Sequence, residues 1–201
     1  SSAGQAHIGV DGPLAGPLLD TTLLSAPATL SLESNHMRVV ELEFAFRFGG
    51  DCPARESRYS QDEVLARVET VHPCIEVPDS RFTNFSDVGP AQLVADAACA
   101  WKLVYGPAAV CDWRKLDFAT HEATLFLDGV ESCRGKGANV LGDPREALTW
   151  LVNELTGRGQ SVEQGQLCTT GTCILPTPVL PGQCVLGDFG VLGTVEAHFP
   201  R

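Results

Sequence analysis

The stretch VELEFAFRF, residues 40–48, limits most sharply what this chain can fold into. Apolar side chains recur at every second position, Leu42, Phe44, Phe46 and Phe48, which is the period of a β-strand with one buried face. Glu41 and Glu43 then project together from the opposite face. Two like charges side by side repel, and burial pushes at least one toward its protonated form, so the pair needs either bulk water or a cation.

The rest of the chain sets the context for that strand. Its 201 residues suit one domain, 1–201, with a sizeable core, and 44% hydrophobic against 19% charged residues marks it as globular. The net charge is −11, and no cluster of Lys or Arg forms a basic stripe, which argues against a nucleic-acid partner. No apolar run approaches the ~20 residues of a membrane helix. The opening SSAGQAHIGV lacks the charged-then-apolar pattern of a signal peptide, so a soluble, cytoplasmic protein without a membrane partner is expected. The eight cysteines include no CxxC pair, and several lie in apolar runs. They read as reduced, packed thiols.

Two helices are legible. YSQDEVLARVET opens with a capping box, Ser60 to Glu63, and sets Val64, Leu65 and Val68 on one face. GDPREALTWLVNELTGRG has Asp143 as cap, Pro144 at the first helical position and an apolar stripe of Ala147, Leu148, Leu151, Val152 and Leu155, ending at Gly157 or Gly159. Short strands and Gly/Pro turns fill most of the remainder. A hairpin is expected around Asp128-Gly129, with further turns at Pro181-Gly182 and Asp188 to Gly190. This spacing suits a coiled or barrel-like mixed sheet better than a βαβ array.

For the carboxylates two readings stand. An edge strand with a solvated acidic face explains Glu41 and Glu43 alone. A divalent metal site needs a third oxygen ligand, and Glu76, isolated between Ile75 and Val77, supplies a candidate. Three carboxylates without imidazole or thiolate favour a hard ion, Mg²⁺ or Mn²⁺. His72 and His121 lack spaced partners and read as structural. No GxSxG elbow is present, and GKGANVLG departs from the dinucleotide fingerprint.

Four segments, VELEFAF, HPCIEVPDSRF, the long run from GKGANVLG to CTTGTC, and PGQCVLGDFGVLGTVEAHF, resemble in order and spacing the fumarylacetoacetate hydrolase superfamily. The branch they resemble is that of the 2-keto-4-pentenoate hydratases and 4-oxalocrotonate decarboxylases. The resemblance implies an α+β fold, a mixed, mainly antiparallel β-roll or barrel with flanking helices. It implies Glu41, Glu43 and Glu76 as ligands of Mg²⁺ or Mn²⁺, with Thr170, Gly171, Phe44 and Cys99 near the substrate, a small 2-oxo or 2-hydroxy carboxylate. Polarisation of the 2-oxygen by the cation would stabilise the dienolate through which hydration and decarboxylation both pass. A homo-oligomer, or association with a homologous partner subunit, is expected.

The departures bear on chemistry. The family pattern implies, before position 1, a helical segment and a strand whose lysine moves protons; none of Lys102, Lys115 and Lys136 falls at an equivalent place. The family's Gln-Pro-Asp-Phe-Gly reads GPLAG here, with Leu14 at the carboxylate's position, and its Asn-Ala-Ser reads Ala97-Ala98-Cys99. The expected function is a metal-dependent lyase, a hydratase ahead of a decarboxylase, in aromatic-compound catabolism. An acylpyruvate hydrolase and a catalytically impaired assembly subunit remain as alternatives. The hydrolase needs a water-activating base, and His121-Glu122 point to opposite faces of their strand.

Overall fold

The computed structural model describes Gln5 and residues 10–201. The opening segment, read above as lacking a signal peptide, lies outside the described residues except for Gln5 and Val10. The elements run in the order β1 (Leu23–Ser25), β2 (Ala28–Thr29), β3 (Val39–Phe48), α1 (Gln61–Leu65), β4 (Val68–Val77), α2 (Pro90–Ala95), β5 (Lys102–Tyr105), β6 (Glu122–Leu127), β7 (Val130–Lys136), α3 (Pro144–Gly157), β8 (Leu167–Thr172), β9 (Thr177–Pro178), β10 (Cys184–Asp188) and β11 (Thr194–His198).

Strand β3 holds the fold together because it pairs on both edges and packs through both faces. One sheet has the order β1-β5-β4-β3-β8, with β9 also pairing with β3, and the other has the order β2-β11-β10-β6-β7. All pairings are antiparallel except β1 with β5 and β2 with β11. This is the mixed, mainly antiparallel α+β architecture expected, although the strands form two sheets instead of closing into one barrel.

The alternation in β3 works as read. Leu42, Phe44, Phe46 and Phe48 are fully buried in the main core, with Ala123 and Leu125 of β6, Val185 of β10 and Val195 and Ala197 of β11. Aromatic edges tighten the contact: the Phe44 ring meets Phe118 at 5.7 Å and Phe189 at 5.2 Å, both edge-on. Gly187 lets β10 come this close, since a Cβ there would stand 2.6 Å from Leu42 Cδ2.

Helix α1 begins with the expected reciprocal cap between Ser60 and Glu63 but stops at Leu65. Val68 opens β4, not another helical turn, because VETVHPCIEV finds ten residues of pairing surface against β3 and β5. Asp143 accepts from Arg145 N at 2.8 Å to start α3, which buries Ala147, Leu148 and Val152. The Asp128-Gly129 turn, with φ 50° and 79°, joins Leu127 directly to Val130, as a two-residue hairpin requires. Among the described residues no helix is long and apolar enough to cross a membrane.

Candidate metal centre

Register brings the three glutamates together. In the antiparallel β3–β4 pair Glu41 lies directly opposite Glu76, and Glu43 opposite Cys74, so Glu43 is the diagonal neighbour of Glu76 on one face. One carboxylate oxygen from each lies within 4.8 Å of the others. Glu43 is only 1% exposed, while Glu41 and Glu76 keep part of their surface open.

The neighbouring strand reaches in toward Glu43. Pairing of β3 with β8 shifts register between Glu43 and Ala45, opposite Thr172 and Thr169, so Thr170 and Gly171 bulge. Gly171, at φ 86°, turns its N–H onto Glu43 Oε2 at 2.9 Å. The Thr170 hydroxyl donates to the Phe44 carbonyl at 3.1 Å. Both groups therefore stand beside the cluster, one of them gripping a carboxylate.

Phe44 requires correction. Its side chain points away from the glutamates into the main core and is fully buried, because successive strand residues face opposite sides. It has no surface to offer a substrate.

Cys99 lies at the edge of the site, in an unusual conformation. Ala97, Ala98 and Cys99 have φ of 53°, 53° and 66°, a left-handed turn made without glycine. A brace holds it: the buried Asp96 carboxylate accepts the Ser80 hydroxyl at 2.6 Å and the Arg81 N–H at 3.0 Å, and pairs with the Arg81 guanidinium. Asp79 N donates to the Cys99 carbonyl at 2.9 Å. Burial, then the charge of Asp96, pushes the Cys99 thiol up to about 11. Gly16, last residue of GPLAG, packs where any Cβ would overlap the Ala97 carbonyl, so this segment lies against the same turn. Sequence reasoning assigned no role to Ser80, Arg81 or Asp96; the Asp-Ser-Arg following Glu76 was the available signal.

Electrostatics require a proton or a cation here. Burial, then the charge of Glu43, raises the Glu41 carboxyl to about 8. Burial, followed by Glu43 and Glu41, lifts Glu76 well above the ordinary carboxylate range. At an effective dielectric of ~20, each ionised pair at this spacing repels by about 3–4 kcal/mol. Among the described residues no Lys or Arg forms an ion pair with the three. An all-oxygen donor set of this charge fits a hard divalent ion such as Mg²⁺ or Mn²⁺.

The two histidines are engaged in the fold. His72 Nδ1 meets the Gly106 carbonyl at 2.8 Å and its Nε2 meets Thr70 Oγ1 at 2.9 Å. His121 Nε2 meets the Phe189 carbonyl at 2.6 Å.

No family model matches the chain. It is 29% identical over 199 residues to a 4-oxalocrotonate decarboxylase of Pseudomonas sp. (strain CF600), covering 99% of this chain and 74% of that protein. To a 2-keto-4-pentenoate hydratase of Paraburkholderia xenovorans (strain LB400) it is 29% identical over 195 residues, covering 97% and 71%. The solved 4-oxalocrotonate decarboxylase from Pseudomonas putida G7, complexed with magnesium and adipate, superposes with a TM-score of 0.88 at 28% identity, covering 99% of this chain and 74% of that one. In sequence over nearly all its length, and in fold, the chain is similar to 4-oxalocrotonate decarboxylases, and in sequence also to 2-keto-4-pentenoate hydratases.

Proposed function

We propose that the protein is a divalent-metal-dependent lyase that hydrates a small 2-hydroxy-dienoate or 2-oxo acid, with Glu41, Glu43 and Glu76 holding Mg²⁺ or Mn²⁺. The convergence of three carboxylate oxygens within 4.8 Å carries this reading. When bound, such an ion supplies Lewis acidity at the substrate's 2-oxygen. The chain's own contribution is orientation and a dry wall. Gly171 N–H fixes the rotation of Glu43, and Ala45, Cys74 and Leu103, fully buried beside the cluster with Leu18 and Leu23 against them, exclude water on one flank. The Asp96 brace keeps the Cys99 turn at the other.

Proton transfer separates the finer readings. Leu14 cannot carry a proton, so water addition needs a donor or acceptor other than a carboxylate at that position. General acid–base help is commonly worth about 10²- to 10⁴-fold, and a site relying on the cation alone would turn over slowly. Decarboxylation is the second reading, supported by the solved magnesium-bound decarboxylase of similar fold. A cytoplasmic homo-oligomer, possessing or lacking a homologous partner subunit, completes the proposal.

The test is thermal unfolding with Mg²⁺ and oxalate, a chelating mimic of the 2-oxo carboxylate, on the wild type and Glu43→Gln. Ligand at a hundredfold its Kd stabilises by about 2.7 kcal/mol. A metal-dependent oxalate shift lost in the variant is expected, followed by metal-dependent loss of dienoate absorbance. No shift in either protein would refute the metal centre and turn the search toward a partner subunit.

A further inference from the structure

On the other sheet, far from the proposed chemistry in the order of strands, a second reactive arrangement is exposed. Cys184 of β10 and His198 of β11 are directly opposed in the antiparallel register. Cys184 Sγ lies 3.1 Å from His198 Nδ1, and both residues are exposed. We propose that this pair is a thiol-modification site, in which His198 serves as base for Cys184 and the sulfur reacts with low-molecular-weight disulfides.

Comparison with the other thiols isolates Cys184. Cys52, Cys74 and Cys173 are buried, and Cys99, Cys111, Cys133 and Cys168 are half-buried, leaving Cys184 as the exposed one of the eight. Burial pushes Cys168 up to about 12 and Cys99 up to about 11, which withholds the nucleophilic thiolate. Cys184 has both access and an adjacent proton acceptor. An exposed hydrogen bond of this kind adds little stability, so the fold does not depend on it.

The backbone under the pair is fixed. Cys184 N donates to Asp128 Oδ1 at 2.9 Å, and Gln183 Nε2 donates to Asp128 Oδ2 at 3.2 Å, tying the start of β10 to the β6–β7 turn. Charged groups around the pair are Asp128 itself, Glu196 two residues before His198 on the same face of β11, Asp188 at the far end of the same face of β10, Glu122 on the adjoining β6, and Arg201, whose side chain packs by Gly182. In the reaction Nδ1 takes the thiol proton as the sulfur attacks one sulfur of a disulfide RS–SR. The Cys184–SR bond forms, the RS–SR bond breaks, and the departing RS⁻ collects the proton from His198. The Cys184 sulfur is oxidised and RSH is the reduced product.

The full chain, with whatever metal it carries, is incubated with oxidised glutathione, and adducts are mapped by peptide mass. Iodoacetamide alkylation rates are measured at pH 7 for the wild type, His198→Gln and Cys184→Ser, with a free peptide thiol as comparator. One glutathionyl group on Cys184 is expected, none in Cys184→Ser, and alkylation about tenfold or more faster in the wild type than in His198→Gln. Equal rates in the two, or an adduct on another cysteine first, would overturn the proposal. Should His198→Gln fail to fold, the wild-type rate decides: one no faster than the free peptide thiol overturns it. Since the readout is adduct and rate, the result is independent of the metal centre.

Discussion

The N–H of Gly171 donates to Glu43 Oε2 at 2.9 Å, so the most buried carboxylate of the acidic cluster is oriented by a bulge in the neighbouring strand. Gly171 adopts φ 86°, where a β-carbon is strained. Gly171→Ala is therefore expected to cost about 1–2 kcal/mol of stability. It also turns the N–H away from Glu43 and weakens Mg²⁺ binding. Chemical denaturation measures the first effect and calorimetric Mg²⁺ titration the second; unchanged metal affinity would show that the hydrogen bond does not orient the ligand.

Acidity gives a signed prediction. Glu41 titrates near 8 in the folded chain, against an ordinary value of 4.5, because burial and then Glu43 disfavour its charge. Between those values the folded state holds more protons than the unfolded one, so metal-free stability is greatest below the lower value and falls as pH rises toward 8. Glu76 shifts in the same direction. A divalent ion must displace these protons, so the Mg²⁺-induced rise in Tm should grow from pH 6 to 8.5, with proton release on binding. Unfolding scans in EDTA and in Mg²⁺ across that range check both slopes. Glu41→Gln should flatten the EDTA curve while removing much of the Mg²⁺ response.

Phe44 separates core from site. Its ring is packed edge-on between Phe118 and Phe189 on the face away from the glutamates. Phe44→Ala should cost about 3–5 kcal/mol of stability. Whatever remains folded should bind Mg²⁺ with wild-type affinity, measured by titration well below the Tm. A large loss of metal affinity in folded protein would place the residue back at the site.

These cases mark what the chain discloses before folding. The β3 alternation, the Ser60–Glu63 and Asp143 caps and the Asp128-Gly129 turn were legible because each is a local rule, written in residues within a few positions of one another. The meeting of Glu76 with Glu41 depends on the register of β3 and β4, set by pairing that no short window contains; the isolation of Glu76 in an apolar run made it a candidate, and the family resemblance singled it out. The end of α1 at Leu65 was missed because Val68 satisfies a helical stripe and a strand equally well, and tertiary pairing decided between them. The direction of Phe44 was readable from strand alternation, and assigning it to the substrate conflicted with that pattern.

The left-handed turn at Ala97, Ala98 and Cys99 was invisible in sequence, because no glycine or asparagine marks it. Each residue there pays about 1–2 kcal/mol for the conformation. Asp96 offsets part of that through Ser80 and Arg81, and Ala98 itself, at φ 53° and ψ 39°, has no side chain whose loss would break the brace. Ala98→Gly is thus expected to stabilise the protein by about 0.5–1 kcal/mol, the relief of strain exceeding the entropy that glycine adds to the unfolded chain. Asp96→Ala should do the reverse, leaving the buried Ser80 O–H without its acceptor at a cost of about 1–3 kcal/mol and freeing Cys99 from its place beside the cluster. Denaturation curves give both signs, and the alkylation rate of Cys99 reports its release. Slower or unchanged alkylation in Asp96→Ala would mean that the turn is held by the backbone bond from Asp79 to the Cys99 carbonyl instead of by the carboxylate.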